Sequence, residues 1–287
     1  MREPAVAGMF YRRGRDLLRE QVGKCFSDPL GPGKIPVVAK DGARNIKGAI
    51  FPHAGYEYSG PVAAHSAAAL AADGFPPSFV IIGPNHHGLG SAIAVGTETF
   101  QTPLGRVEID TGLARRIIGG GIEEDPVAHI EEHSIEVQLP FLQSFGREFK
   151  FVPVCMGDQD INAATILGDR IAAAAKGQDV GIIASTDFTH AGASYGHPPP
   201  RGMRAGDFAK REDQKAIDRI LAMDPAGLVE TVKSNHITMC GYGCVAAMLV
   251  ATRKLGARKA TLLKYATSAD VSGDDEMAVG YGSFIVE

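Results

Sequence analysis

Three polar endings stand just beyond apolar runs: "FPHAG" gives His53, "IIGPNHHG" gives His86 and His87, and "IIASTDFTH" gives Asp187 and His190. Imidazoles and carboxylates bind metals and move protons near neutral pH, so this is a catalytic composition. One histidine after a strand carries little weight alone, and Ser185 or Asp187 could equally cap a helix. Three such endings together point to a shared site. Neighbouring loop histidines diverge, so one of His86 and His87 at most is expected to ligate a metal, the other being free for hydrogen bonding or acid–base work.

Cys240 is a fourth candidate, because "CGYGCVAAMLVAT" continues as an apolar helical pattern, and a helix N-terminus lowers a thiol pKa and favours the metal-binding thiolate. Cys244, one turn on, reads as a small core residue. In "HIEEHSIEVQLPFL", His129 and His133 have zincin spacing, but Ile130 stands where the glutamate is required. His133 and Glu136 are expected to share a helix face, either supporting a ligand from behind or forming an exposed polar pair, with Pro140 ending or kinking that helix. The phosphate-binding "GxxxxGK[ST]" and the serine-hydrolase "GxSxG" are both missing.

The elements that must position these groups are legible as buried strands at residues 46 to 51, 78 to 83, 149 to 155, 179 to 185 and 259 to 266, with "AVGYGSFIV" as a sixth. Helical patterns such as "AAHSAAALAA", "INAATILGDRIAAAA" and "REDQKAIDRILAM" alternate with them. The expectation is a three-layer α/β fold, a largely parallel sheet with helices on both faces, built as one domain over residues 1–287. In such a sheet the strand ends lie along one edge, where distant residues converge. Residues 191 to 208, rich in Gly and Pro, are expected to form a mobile loop, either a lid or an ordinary connection.

The chain has 287 residues, 45% of them hydrophobic, which suffices for a substantial core. A net charge of −4 and a pI near 6.1 give no basic footprint, so neither nucleic acid nor an anionic membrane is the expected partner. A small-molecule substrate or a peptide or protein ligand is. The charged N-terminus and the lack of a spanning apolar run suggest a cytoplasmic protein, and four unevenly spaced cysteines suggest no disulfide framework.

The ordered stretches "AGMFY", "PHAGYEYSG", "GPNHHG", "TPLG", "EEHSIEVQLPFL", "STDFTH", "CGYG", "YATSAD" and "VGYGSF" resemble the Memo family from residue 5 almost to the C-terminus. Met9 and Arg12 depart locally from that family's "AGSFYP" stretch. The resemblance implies a fold like that of the class III extradiol dioxygenases, which use nonhaem Fe(II) to open catechol rings. It also implies a metal site of two histidines and a cysteine, here His53, His86 and Cys240, with Asp187 and His190 as the neighbouring polar pair.

A thiolate in place of the dioxygenase carboxylate softens the site, so Fe(II) is expected with copper or zinc as alternatives. Two functions follow from the resemblance. One is a redox metalloenzyme in which His190, positioned by Asp187, is the acid–base group and His87 a second candidate for that role. The other is a non-catalytic protein that sequesters metal or docks a peptide or protein, since Memo proteins resemble adaptors in animals. A zinc hydrolase with the same ligands ranks behind both.

Overall fold

A computed structural model describes residues 1–287. In chain order its elements are α1 (Arg15–Ser27), β1 (Gly48–Phe51), α2 (Gly60–Asp73), β2 (Ser78–Pro84), β3 (Ile93–Val95), β4 (Phe100–Thr102), β5 (Gly105–Ile109), α3 (Thr111–Ile117) and β6 (Glu123–Glu124). There follow α4 (Leu139–Gln143), β7 (Lys150–Met156), α5 (Ile161–Ala175), β8 (Val180–Ser185), β9 (His190–Ala191), α6 (Ala205–Leu221), α7 (Pro225–Ser234), α8 (Tyr242–Lys254), β10 (Ala260–Thr267), α9 (Ala269–Ser272) and β11 (Ala278–Val286).

Strands β1, β2 and β8 are buried along their whole length, which is why they read as unbroken apolar runs rather than as alternating patterns. They form the centre of a sheet ordered β10-β11-β1-β8-β2-β7-β3-β6. The four strands β1, β8, β2 and β7 are mutually parallel. Outside this centre the sheet is mixed: β11 joins β1, β10 joins β11 and β3 joins β7 antiparallel, whereas β5 joins β7 and β3 joins β6 parallel. Helices α1, α2 and α4 pack together on one face; α5 and α8, flanked by α3 and α7, cover the other.

Close approach is specified by glycine at two places. A Cβ on Gly168 of α5 would come within 2.6 Å of Val250, so its absence lets α5 lie directly against α8. A Cβ on Gly241 would come within 2.4 Å of the Ser185 carbonyl, so its absence brings the start of α8, and Cys240 with it, onto the end of β8. Register then aligns the site edge: Phe51 lies opposite Ser185, and Ile82 opposite Ala184.

Two expectations change. Residues 129 to 142 do not form one helix, because short 3₁₀ turns at Val127–His129 and Glu136–Gln138 break it. Pro140 does not end a helix but lies in the first turn of α4, where its missing N–H leaves no bond unmade. The 191 to 208 segment is also not featureless. It holds the end of β9, a 3₁₀ turn at Ala193–Tyr195 and the beginning of α6.

Candidate metal centre

Beyond the carboxyl ends of β1, β2 and β8, the chain places His53, His86, His133, Asp187 and His190 around a cavity of about 460 Å³. His53, His86 and His190 are each held by one ring nitrogen. Ser185 donates its hydroxyl proton to the Ser134 carbonyl at 2.7 Å, so at 2.8 Å from His53 Nδ1 it must accept, which leaves the proton on Nδ1 and the lone pair on Nε2. His86 is fixed similarly. Its Nδ1 meets Glu132 Oε1 at 2.9 Å while its backbone N–H donates to Oε2 at 2.7 Å. This is the arrangement by which carboxylates and hydroxyls orient metal-ligating histidines.

Nitrogens of His53, His86 and His133 lie within 4.8 Å of one another, a group that could hold a metal ion. His133 stacks on His86 at 4.7 Å and meets Phe10 edge-on at 4.7 Å. The sequence reading missed it as a candidate ligand by assigning it to a helix face. With the helix broken, the turn before the second 3₁₀ segment aims His133 into the cavity, while Glu136 points the other way into a buried cluster with Arg2 and Tyr11. The usable signal was the dipeptide Glu132-His133, in which a carboxylate anchor adjoins an imidazole.

Cys240 Sγ lies 3.1 Å from His53 Nε2 and accepts the Asp187 N–H at 3.2 Å. The expectation of a depressed thiol pKa fails. Cys240 precedes α8 by two residues, with Gly241 at the cap, and burial followed by the Asp187 charge pushes its thiol well above the usual range. A thiolate here therefore requires a cation to replace the proton.

Asp187 likewise differs from expectation. Its Oδ1 accepts the His53 backbone N–H at 2.8 Å, so it fixes the turn that carries His53 rather than binding His190. His190 is held by main-chain groups instead: Nδ1 faces the carbonyls of Phe188 at 2.9 Å and Thr238 at 3.1 Å. Two acceptors at Nδ1 put the proton there and leave Nε2 as a base. His87 is exposed and not part of the cavity lining, its Nδ1 3.6 Å from a Glu131 carboxylate oxygen, yet it lies within 4.8 Å of Glu132 and His133, a second group that could hold a metal ion.

Burial, reinforced by the other two imidazoles, drives the His53 pKa well below its ordinary value, and burial drives His133 down to about 4. Burial opposes charge on His86 as well, but the Glu132 hydrogen bond and charge outweigh it and raise that pKa. Glu132 is correspondingly lowered, its bonds to His86 overcoming its own burial, whereas burial raises Asp187. Imidazoles of His53 and His86 anchored at Nδ1, with a sulfur beside His53, are a fitting donor set for a soft or borderline divalent metal.

A three-layer α/β sheet carrying a histidine-rich crevice at the carboxyl edge of its parallel strands defines the class. The chain belongs to the Memo family: the model for Memo-like proteins matches residues 2–285. It is 46% identical to a MEMO1 family protein of Methanopyrus kandleri over 99% of this chain and 98% of that one. It is 47% identical to a MEMO1 family protein of Methanothermobacter thermautotrophicus over 98% of each. Among solved structures, an uncharacterized Escherichia coli K12 protein is similar in fold, with a TM-score of 0.55 at 12% identity, over 84% of this chain and 99% of that one. No helix is long and apolar enough to cross a membrane.

Proposed function

We propose that this protein is a metal-dependent redox enzyme in which His53, His86 and Cys240 hold Fe(II), with copper as the alternative, and in which His190 handles the proton of a small hydroxyl-bearing substrate. The observation that carries the reading is the anchoring of His53 and His86 through Nδ1, with the Nε2 of His53 3.1 Å from the Cys240 sulfur and a ring nitrogen of His86 within 4.8 Å of one of His53. When bound, such an ion supplies Lewis acidity toward the hydroxyl group and electron exchange with dioxygen.

The remaining work falls to the chain. His190 Nε2 is unprotonated in the neutral ring and takes the substrate's hydroxyl proton, while the carbonyls of Phe188 and Thr238 keep its Nδ1–H fixed. Asp187 holds the His53 main chain in place. His133, neutral in its buried position, lines the cavity next to His86 and limits the room left for the substrate. His87, facing solvent, has no part in this scheme.

Dioxygen consumption by iron-loaded protein with phenols and catechols tests the proposal. A product that forms in the wild type and disappears in His190→Ala at unchanged metal content is the expected result. Metal binding without turnover of any such substrate would contradict it and leave a sequestering or docking role.

A further inference from the structure

The mouth of the crevice differs in composition from its floor. Tyr58, Tyr195 and Met277 come from three separate segments, are 39%, 45% and 41% exposed, and all line the same cavity, together with the rings of Phe10 and Tyr281. Large apolar side chains left open around one opening call for a ligand that covers them. Tyr195 also meets His190 edge-on at 5.3 Å, so the aromatic wall continues down to the proposed base.

The charge of the lining is one-sided. No Lys or Arg lines the cavity, whereas Asp187 lies at its floor and Asp274 at its mouth. Asp274 Oδ1 accepts the backbone N–H groups of Glu276 and Met277 at 2.8 and 3.1 Å, and the carboxylate forms no ion pair. Two cations on neighbouring elements are engaged elsewhere, Arg204 with Asp275 and Lys210 with Asp270. Asp187 is engaged by the His53 main chain and Glu132 by His86, so Asp274 is the lining carboxylate left for a ligand at the mouth.

We propose that the crevice selects a small phenolic ligand bearing a cationic amine, its ring against the Tyr58 and Tyr195 side chains and its ammonium at Asp274. This rests on reading the crevice as the substrate site of a redox metalloprotein. Aromatic faces and a free carboxylate both favour a cation. A phenol bearing a carboxylate meets only repulsion at the same position.

Calorimetric titration of tyramine, 4-ethylphenol and 4-hydroxyphenylacetate into metal-free and iron-loaded full-length protein tests this with one ring and three charges. Tyramine is expected to bind more tightly than 4-ethylphenol by about threefold to fivefold, the scale of a partly exposed ion pair, and 4-hydroxyphenylacetate more weakly than either. Asp274→Asn keeps an acceptor for the two backbone N–H groups and should erase the tyramine advantage. Tyr195→Ala should weaken all three ligands alike.

Equal affinities, preference for 4-hydroxyphenylacetate, no binding of any of the three, or an advantage that survives Asp274→Asn would overturn the inference. Tighter binding of a tyrosine-leading peptide amide than of tyramine would overturn the small-molecule assignment. Metal content separates this from the proposed function. Protein that takes up no metal refutes that function whatever the ligand order, whereas iron-loaded protein that prefers the anion refutes the inference alone.

Discussion

Ser185 has one hydroxyl proton, and the Ser134 carbonyl takes it, so the oxygen must accept from both His53 Nδ1 and Gln138 Nε2. That single valence rule sets the tautomer of His53. Ser185→Ala leaves the His53 Nδ1–H buried without its acceptor, while Gln138 Nε2 keeps the Pro52 and Ser134 carbonyls, at a cost of roughly 1 to 3 kcal/mol in stability. It should also weaken metal binding about tenfold to a hundredfold by freeing the ring, as read in a chelator competition; affinity equal to wild type would show that Ser185 orients nothing. At this scale the sequence displayed His53, His86, Asp187, His190 and Cys240 because each follows a recognisable strand end or opens a helix. Partners were not displayed. Whether Asp187 bonds to His53 or to His190 depends on a turn geometry that no spacing encodes.

The loop joining β8 to β9 carries Asp187 and leads into His190, and it is held from below by Asp213 on α6. Asp213 Oδ1 accepts the Thr189 N–H at 2.9 Å and Oδ2 the Tyr265 hydroxyl at 2.6 Å. Burial nevertheless dominates and pushes the Asp213 pKa up to about 6. A carboxyl that holds its proton more tightly in the folded chain than in the unfolded one makes stability fall as pH rises between the two values, from about 4 to about 6. The loss amounts to roughly 3 kcal/mol by neutral pH. Asp213→Asn should therefore gain on wild type by about that amount between pH 4 and pH 7 in urea denaturation. A difference independent of pH would contradict it. The main strands were readable because each is an unbroken apolar run, whereas the two- to five-residue strands β3 to β6 and β9 exist only through their tertiary pairing. Tertiary contact also decided the 129 to 142 segment, where a helical apolar pattern gives way to turns that aim Glu132 and His133 at the cavity.

Across the whole molecule, the site depends on a clamp between the N-terminal segment and the turns after β6. Arg2 donates to the carbonyls of His129 and Glu132 and pairs with Glu136, which also receives the Tyr11 hydroxyl and the N–H groups of Ala5 and Val6. Both ends are buried. Arg2→Met would strand the Glu136 charge and should cost about 3 to 5 kcal/mol, much of it recovered in the double variant with Glu136→Gln. A loss below about 1 kcal/mol would assign the pair the weight of a surface contact. The clamp was invisible in sequence because its partners are 134 residues apart. The direct test of the account is elemental analysis of protein purified without oxygen or chelator, alongside Cys240→Ser. Near-stoichiometric iron or copper per chain is expected in the wild type, with its loss in the variant; absence of metal even after reconstitution, or retention unchanged by Cys240→Ser, would contradict this.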